Sequence, residues 1–378
     1  MYDLRALRDN LDGLRDQLGP RGKDVAWEEL RTLSEDRRTQ TIQVEELRHQ
    51  LKKGSEHVAR LKREKQPAEE AMAAMKAVGE TIKGHEDRLR VIEEQLAHIA
   101  LRIPNLPHAS VPDGRDAADN VEVRRWGAPP QLSAPAQSHW DLGEALGILD
   151  FDRAVRMAKA RFAVLTGLGA RLERALINFM LDFHTTRHGY TEMSVPHVIR
   201  RAALYGTGQL PKLEGDMYHI GEDDLFLNPT AEVPVTNIWR EEILEPGMLP
   251  VYATAYCASY RREAGAAGRD TRGMVRVHQF DKVELVKVVA PETSYDEHEK
   301  LARDVADIFE ALELPYRVLL LCSGDMSFAA AKCYDFEVWA PGLGSWLECS
   351  SCSNFEDFQA RRMGLRFRRE TGSKVELD

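Results

Sequence analysis

Residues Tyr260 to Glu284 read YRREAGAAGRDTRGMVRVHQFDKVE. The ends have strand character and the middle is rich in glycine and arginine, so the stretch predicts a β-hairpin. Gly265, Gly268 and Gly273 would let its loop bend. On a strand with period two, Arg276, His278, Phe280, Lys282 and Glu284 fall on one face, alternating with Val275, Val277, Gln279, Asp281 and Val283. A dry core cannot take that many charges unpaired, so this face is expected to line a polar cleft. Arginine forks can clamp a phosphate, and Phe280 can stack on a flat base. A surface hairpin with a charged loop is the competing reading.

Working outward, further strands are expected at Tyr190–Val195, Leu225–Leu227, Val251–Tyr260, Val275–Val289, Tyr316–Leu321, Tyr334–Trp339 and Ser345–Ser350. Helices are expected over 169–188, 229–241 and 293–312. Strands that follow one another, rather than alternating with helices, favour an antiparallel α+β domain. No GxxxxGK[ST] loop is present, and Gly167-x-Gly169 lacks the third glycine of a dinucleotide fingerprint, so it reads as packing at a helix start. Any nucleotide must be held by another device.

The first part of the chain has a different period. Leu30, Leu33, Val44, Leu47, Leu51, Val58 and Leu61 follow steps of three and four, interrupted at Arg37, Gln40 and Gly54. After Gln66-Pro67 the pattern resumes through Met75, Val78, Ile82, His85, Leu89, Ile92, Leu96, Ile99 and Ile103. Two narrow seams joined by a turn predict an antiparallel helical hairpin over 27–103, reaching roughly 50–55 Å at 1.5 Å per residue. Pro67 is placed in the first turn of the second helix and Pro104 at its end. Residues 104–138 have the turn chemistry of a linker, and the α+β domain occupies 139–378.

The 378 residues carry 51 Lys plus Arg against 61 Asp plus Glu, a net charge of −10. Residues 1–110 hold 20 basic and 20 acidic side chains, so the whole excess lies beyond them. Within the arm, Arg48, Lys52, Lys53, Arg60, Lys62, Arg63 and Lys65 face only Glu56 and Glu64 in their stretch, a basic stripe suited to a phosphate backbone. A solvated spacer or dimerisation coil is the plainer reading. No apolar run approaches the roughly 20 residues of a membrane span, and the N-terminus lacks a signal-peptide core, so a cytoplasmic protein is expected. Cys257, Cys322, Cys333, Cys349 and Cys352 are few and odd in number, and Cys349-x-x-Cys352 lacks a second ligand pair.

These residues also carry a resemblance. YRREAGAAGRDTRGMVRVHQFDKVE closely resembles motif 2 of seryl-tRNA synthetases. TGQLPKLEGDMY (207–218), LNPTAEVPVTN (227–237), LECSSCSNFEDFQARR (347–362) and the N-terminal hairpin are similar to the same family. The resemblance implies a class II core, an antiparallel β-sheet flanked by helices, behind a coiled-coil arm. The implied reaction is ATP-dependent activation of L-serine to seryl-adenylate, followed by transfer to tRNA(Ser), with tRNA(Sec) a second candidate.

By the same resemblance Arg261 would hold the α-phosphate, Arg276 would make a second phosphate contact, Glu263 would read the adenine side and Phe280 would stack on the ring. Arg262, where the family commonly has Ser, and Val277 join the ATP set. Thr230, Ala231, Glu232 and Glu284 would bind serine. Glu348, Cys349, Ser350 and Ser351 form a later ATP-binding strand, with Glu348 as ligand to Mg²⁺. Arg48, Lys52, Lys53, Arg60, Lys62 and Arg63 would face a tRNA with a long variable arm, and the helix from Gly169 to the strand before Pro196 would build a homodimer interface. The family continues past SKVEL (373–377) into a motif 3 with an arginine over the ATP. The sequence ends at Asp378, so a truncated synthetase is expected, the alternative being a non-catalytic tRNA-binding or interaction protein.

Overall fold

The computed structural model describes residues 10–264, 272–371 and 374–377. Gly265 and Gly268 of the hairpin loop lie outside the described residues. The chain divides into two compact units, Met1–Pro104 and Asn105–Asp378.

In the first unit, a short helix α1 (Leu11–Leu18) precedes two long ones, α2 (Trp27–Arg63) and α3 (Glu69–Ala100). α2 and α3 pack along the expected seams, with Leu30, Val44, Ile82, Leu96 and Ile99 buried. The three positions expected to interrupt the seam belong to it. Arg37 pairs with Glu93 at 2.8 Å, Gln40 Oε1 lies 2.6 Å from His85 Nδ1, and a Cβ on Gly54 would collide with the Met75 side chain. Polar cross-pairs and one close approach replace apolar knobs there, which a hydrophobicity pattern registers as gaps. Pro67 precedes α3 and its capping Ala68 instead of sitting in the first turn, and α3 ends at Ala100, ahead of Pro104.

In the second unit two antiparallel assemblies dominate. Strands β3 (Val251–Tyr260) and β4 (Gln279–Val288) pair without a break from Tyr260↔Gln279 to Val251↔Val288, and the short β2 (Thr191–Glu192) adds in parallel to β3. A four-stranded sheet runs in the order β1 (Val121–Trp126), β5 (Tyr316–Leu320), β6 (Lys332–Ala340) and β7 (Ser345–Asn354). Helix α4 (Leu168–Arg187) packs on β3 and β4. Helix α6 (Ser294–Ala311) covers β5 to β7 through Ala302, Ala306 and Phe309 against Val318 and Phe336. This is the expected α+β class, a helical arm followed by an antiparallel β core flanked by helices.

Several expectations are corrected. The 104–138 segment is not purely linker, because β1 within it forms the edge of the sheet. All six of its residues are exposed, so burial leaves no mark on its sequence. The strand expected over 190–195 shrinks to Thr191–Glu192, and the helix expected over 229–241 is only the short α5 (Glu232–Thr236) followed by a 3₁₀ turn at Asn237–Trp239. Gly167 caps α4 with φ of 55°, and a Cβ on Gly169 would lie 2.5 Å from the Ile148 carbonyl oxygen, so that pair serves packing as expected. Strand β4 begins at Gln279, not Val275. Arg276 and His278 therefore stand on the loop's return rather than on one strand face with Phe280. The turn tightens at Gly273 (φ 76°), where any Cβ would strike His139 and Trp140.

Candidate active site

The strands β3 and β4 and the turn before α5 bring a compact polar cluster together. Thr230 Oγ1 donates to Glu284 Oε2 at 2.7 Å and accepts from Lys282 Nζ at 2.8 Å. Lys282 Nζ is also 2.7 Å from Glu284 Oε2. The same Thr230 oxygen accepts from the backbone N–H of Glu232 at 3.3 Å, so the helix-start role and the site role coincide in one hydroxyl. Below it, Asn228 Oδ1 accepts from the Thr230 N–H, and Asn228 Nδ2 donates to Cys257 Sγ on β3. That buried asparagine fixes the turn.

Glu232 is a carboxylate strongly altered by its surroundings. Desolvation and then the charge of Glu284 push it up to about 7, against the pull of Lys282, a hydrogen bond from Gln359 and Arg261. Gln359 lies on α7 (Phe358–Met363) and is buried; its Nε2 donates to Glu232 Oε1 at 2.7 Å and to the Thr207 carbonyl at 3.2 Å. Ala231, by contrast, is wholly buried in the apolar cluster of Val235, Trp239, Ala253 and Ala255, so its methyl group has no access to a substrate.

Next to this cluster lies a cationic shelf. The Arg261 guanidinium sits 5.0 Å from the Phe280 ring centroid, and its Nε donates to the Pro229 carbonyl. Arg276 donates to Glu263 Oε2 at 3.1 Å, and Arg161 Nε donates to the Arg276 carbonyl at 3.2 Å. Glu263 adopts φ of 52°, a left-handed conformation that turns the chain out of β3 into the loop. Arg262 is exposed, its backbone N–H spent on the Asp216 carbonyl, and Val277 is buried. Neither side chain joins the cluster.

The late strand β7 carries a bulge: Ser350 pairs with Phe336 and Glu348 with Glu337, leaving Cys349 as the extra residue. Glu348 and Cys349 in consequence both stay solvent-accessible, where strict alternation would bury one. Glu348 is nonetheless surrounded by charged neighbours. Desolvation and the charges of Glu337 and Asp325 hold its carboxyl above the ordinary range against Arg261 and Lys282. Asp335 on β6 is likewise raised, to about 7, by desolvation and then by Glu348. Ser351 Oγ lies 3.1 Å from Cys333 Sγ. Among the described residues no three metal-binding side chains converge. A single carboxylate under pressure from its neighbours still suits Mg²⁺, which commonly takes one or two protein oxygens and the rest from phosphates and water.

Sequence reading missed Gln359, Arg161, Asn228 and Asp335, and did not assign Lys282 to the site although it placed it on the cleft face. Gln359 and Glu232 are 127 residues apart, and nothing local marks their contact. In the arm unit Arg48, Lys52, Lys53, Arg60, Lys62 and Arg63 are all exposed; Arg48 pairs with Glu86 at 2.7 Å and Arg60 contacts His57.

This chain is 52% identical over 377 residues to a serine–tRNA ligase of Geobacillus kaustophilus, spanning 100% of the chain and 89% of the relative. The chain belongs to the seryl-tRNA synthetase family. It is an enzyme, an aminoacyl-tRNA ligase. A serine–tRNA ligase of Geobacter sulfurreducens is 50% identical over the same spans. Residues 1–107 match the family model of the seryl-tRNA synthetase N-terminal domain, and 216–377 match that of the class II core domain for G, H, P, S and T. The seryl-tRNA synthetase of Pyrococcus horikoshii, solved in complex with ATP, superposes with a TM-score of 0.92 at 34% identity, over 100% of this chain and 89% of that one. Among the described residues no helix is long and apolar enough to cross a membrane.

Proposed function

We propose that this seryl-tRNA synthetase family member activates L-serine with ATP and transfers it to tRNA(Ser), with tRNA(Sec) as a second acceptor, as a cytoplasmic homodimer. The observation that carries the reading is the Thr230–Lys282–Glu284 cluster with Glu232 beside it, adjoining the Arg261–Phe280 shelf. Carboxylates and a threonine hydroxyl suit a substrate with an ammonium group and a small hydroxyl. A site built to bond that hydroxyl leaves its own polar groups unpaired when alanine enters, which makes discrimination strong.

In the first step a serine carboxylate oxygen attacks the α-phosphorus of ATP, the bond from that phosphorus to the bridging oxygen breaks, and pyrophosphate leaves with the electron pair. Arg261 neutralises charge on the α-phosphate and Arg276 makes a second phosphate contact, a positioning and electrostatic task of the kind phosphoryl chemistry demands. Phe280 stacks beneath the adenine and Glu263 accepts from its amino group. Glu348 would hold Mg²⁺, which when bound would supply further neutralisation of the phosphates. In the second step a hydroxyl at the 3′ end of the tRNA attacks the acyl carbon and AMP departs.

The exposed basic face of α2 contacts the tRNA backbone, a recognition of shape more than of base edges. The test is serine-dependent exchange of labelled pyrophosphate into ATP, with alanine as control. Exchange with serine alone is expected; no exchange, or equal exchange with alanine, overturns the assignment.

A further inference from the structure

Gln359 lies on α7, outside every segment that touches nucleotide or serine in the reading above, yet it is 6% exposed and its amide is fully committed on the nitrogen side. One N–H holds Glu232 Oε1 at 2.7 Å and the other direction reaches the Thr207 carbonyl at 3.2 Å. Thr207 ends a short helix at Arg201–Thr207, so the amide fastens the Glu232 carboxylate to two helices distant in sequence. Without it, a half-buried carboxylate beside Glu284 would face a like charge with only Lys282 and Arg261 to offset it. Its lowest-energy response would be to rotate or take up a proton.

We propose that Gln359 is a positioning residue for serine: its side-chain amide holds Glu232 in the rotamer and the ionised form that receive the serine ammonium. This rests on the assignment of Glu232 to the serine site. Gln359 touches no substrate itself, so its influence must pass through Glu232 and must select serine over ATP. The groups facing Glu232 are Gln359 from α7, Glu284 and Lys282 from β4, and Arg261 at the foot of the loop. Of these only the amide is neutral, and only the amide can be replaced without changing the charge of the site.

The experiment uses pyrophosphate exchange by the full chain from pH 6.5 to 8.5. Gln359→Met keeps the volume and removes both N–H groups. The loss of a hydrogen bond to a charged group predicts a rise in serine KM of roughly ten-fold or more, with ATP KM within about two-fold. Glu232 then ionises at higher pH than before, so the serine defect is largest at the acid end and shrinks as pH rises. Gln359→Glu has the opposite sign. While it shares a proton with Glu232 it can still donate, and once both are ionised it cannot, so the serine KM increases towards pH 8.5. If the amide were only a neutral spacer, the added negative charge would attract the serine ammonium and KM would fall with pH. Equal rises in serine and ATP KM, or the same pH trend in both variants, overturn the inference. Either variant alone gives a signed result should the other fail to fold. If the unsubstituted chain shows no serine-dependent exchange, the proposed function fails and takes this inference with it. Exchange with an unmoved serine KM in Gln359→Met refutes the inference alone.

Discussion

Lys287 offers the sharpest test of what supports the catalytic hairpin. It lies on β4, three residues beyond Glu284, and points away from the site into a charged pocket. Its Nζ is 3.1 Å from Glu297 Oε2 and 3.3 Å from Asp304 Oδ2, both on α6. The three side chains are only 7%, 8% and 15% exposed. Tyr252 donates to Glu297 at 2.6 Å and Tyr190 to Asp304 at 2.7 Å, so every oxygen facing the lysine is already engaged in a network that assumes its charge. Replacing Lys287 with methionine leaves Glu297 with only the exposed Lys300 as a cationic partner and strips Asp304 of its nearest cation, a change that costs about 3–5 kcal/mol.

The pH dependence follows from Glu297. Desolvation raises its pKa, but hydrogen bonds from Lys300, Tyr252 and Lys287 outweigh that and bring it to about 2. A folded-state pKa depressed below the unfolded value contributes stability above about pH 4.5, and loses it as pH falls towards 2. In the Lys287→Met variant the part of that depression due to Lys287 disappears while Lys300 and Tyr252 keep theirs, so its deficit is greatest at pH 7 and narrows below about pH 5. Urea unfolding followed by tryptophan fluorescence reads the right unit, since five of the six tryptophans lie beyond residue 104. A cost under about 1 kcal/mol at pH 7, or one that stays constant down to pH 4, would refute the reasoning. Adding Glu297→Gln and Asp304→Asn should recover most of the loss.

Thr230→Val removes the hydroxyl that joins Lys282 to Glu284 while keeping the side chain's shape. Serine-dependent exchange is expected to fall by at least ten-fold with the fold intact by circular dichroism, and near-normal exchange would remove Thr230 from the site. Gly169→Ala drives a Cβ to 2.5 Å from the backbone oxygen of Ile148, which cannot swing aside, and should destabilise the second unit by about 1–3 kcal/mol in the same urea assay. Charge reversal at Lys52, Lys53, Arg60 and Lys62 is expected to weaken tRNA binding steeply and flatten its salt dependence, with pyrophosphate exchange unchanged. Equal tRNA affinity at about 0.15 M salt would exclude the stripe from the interface.

What the sequence made legible was whatever a local period or a contiguous motif could carry. Both long helices, the β3–β4 hairpin and the class of the second unit rest on such signals. So does the placing of Thr230, Glu232, Arg261, Phe280 and Glu284 in one region. Contacts that close across the fold leave no local trace. Gln359 meets Glu232 only because α7 packs against the turn before α5, and Arg161 reaches the return of the loop from a segment with no pattern of its own. Ala231 shows the converse: a motif names a residue whose side chain the core has already claimed. Strand β1 escaped because an edge strand exposed on both faces has no apolar alternation to display. The bulge at Cys349 escaped because register is a property of two strands, not one.

The paired polar residues between α2 and α3 act as the notches of a ruler. A heptad slip would move one helix about 10 Å along the other. It would also strand Arg37 away from Glu93 and Gln40 away from His85, and set Met75 against a residue with a Cβ where Gly54 now leaves room. A uniform leucine seam would tolerate that slip far better. The connection at 64–68 has no slack to absorb it either. The distance from the base of the arm to its tip is therefore a calibrated length, and whatever the tip touches is met at a fixed reach.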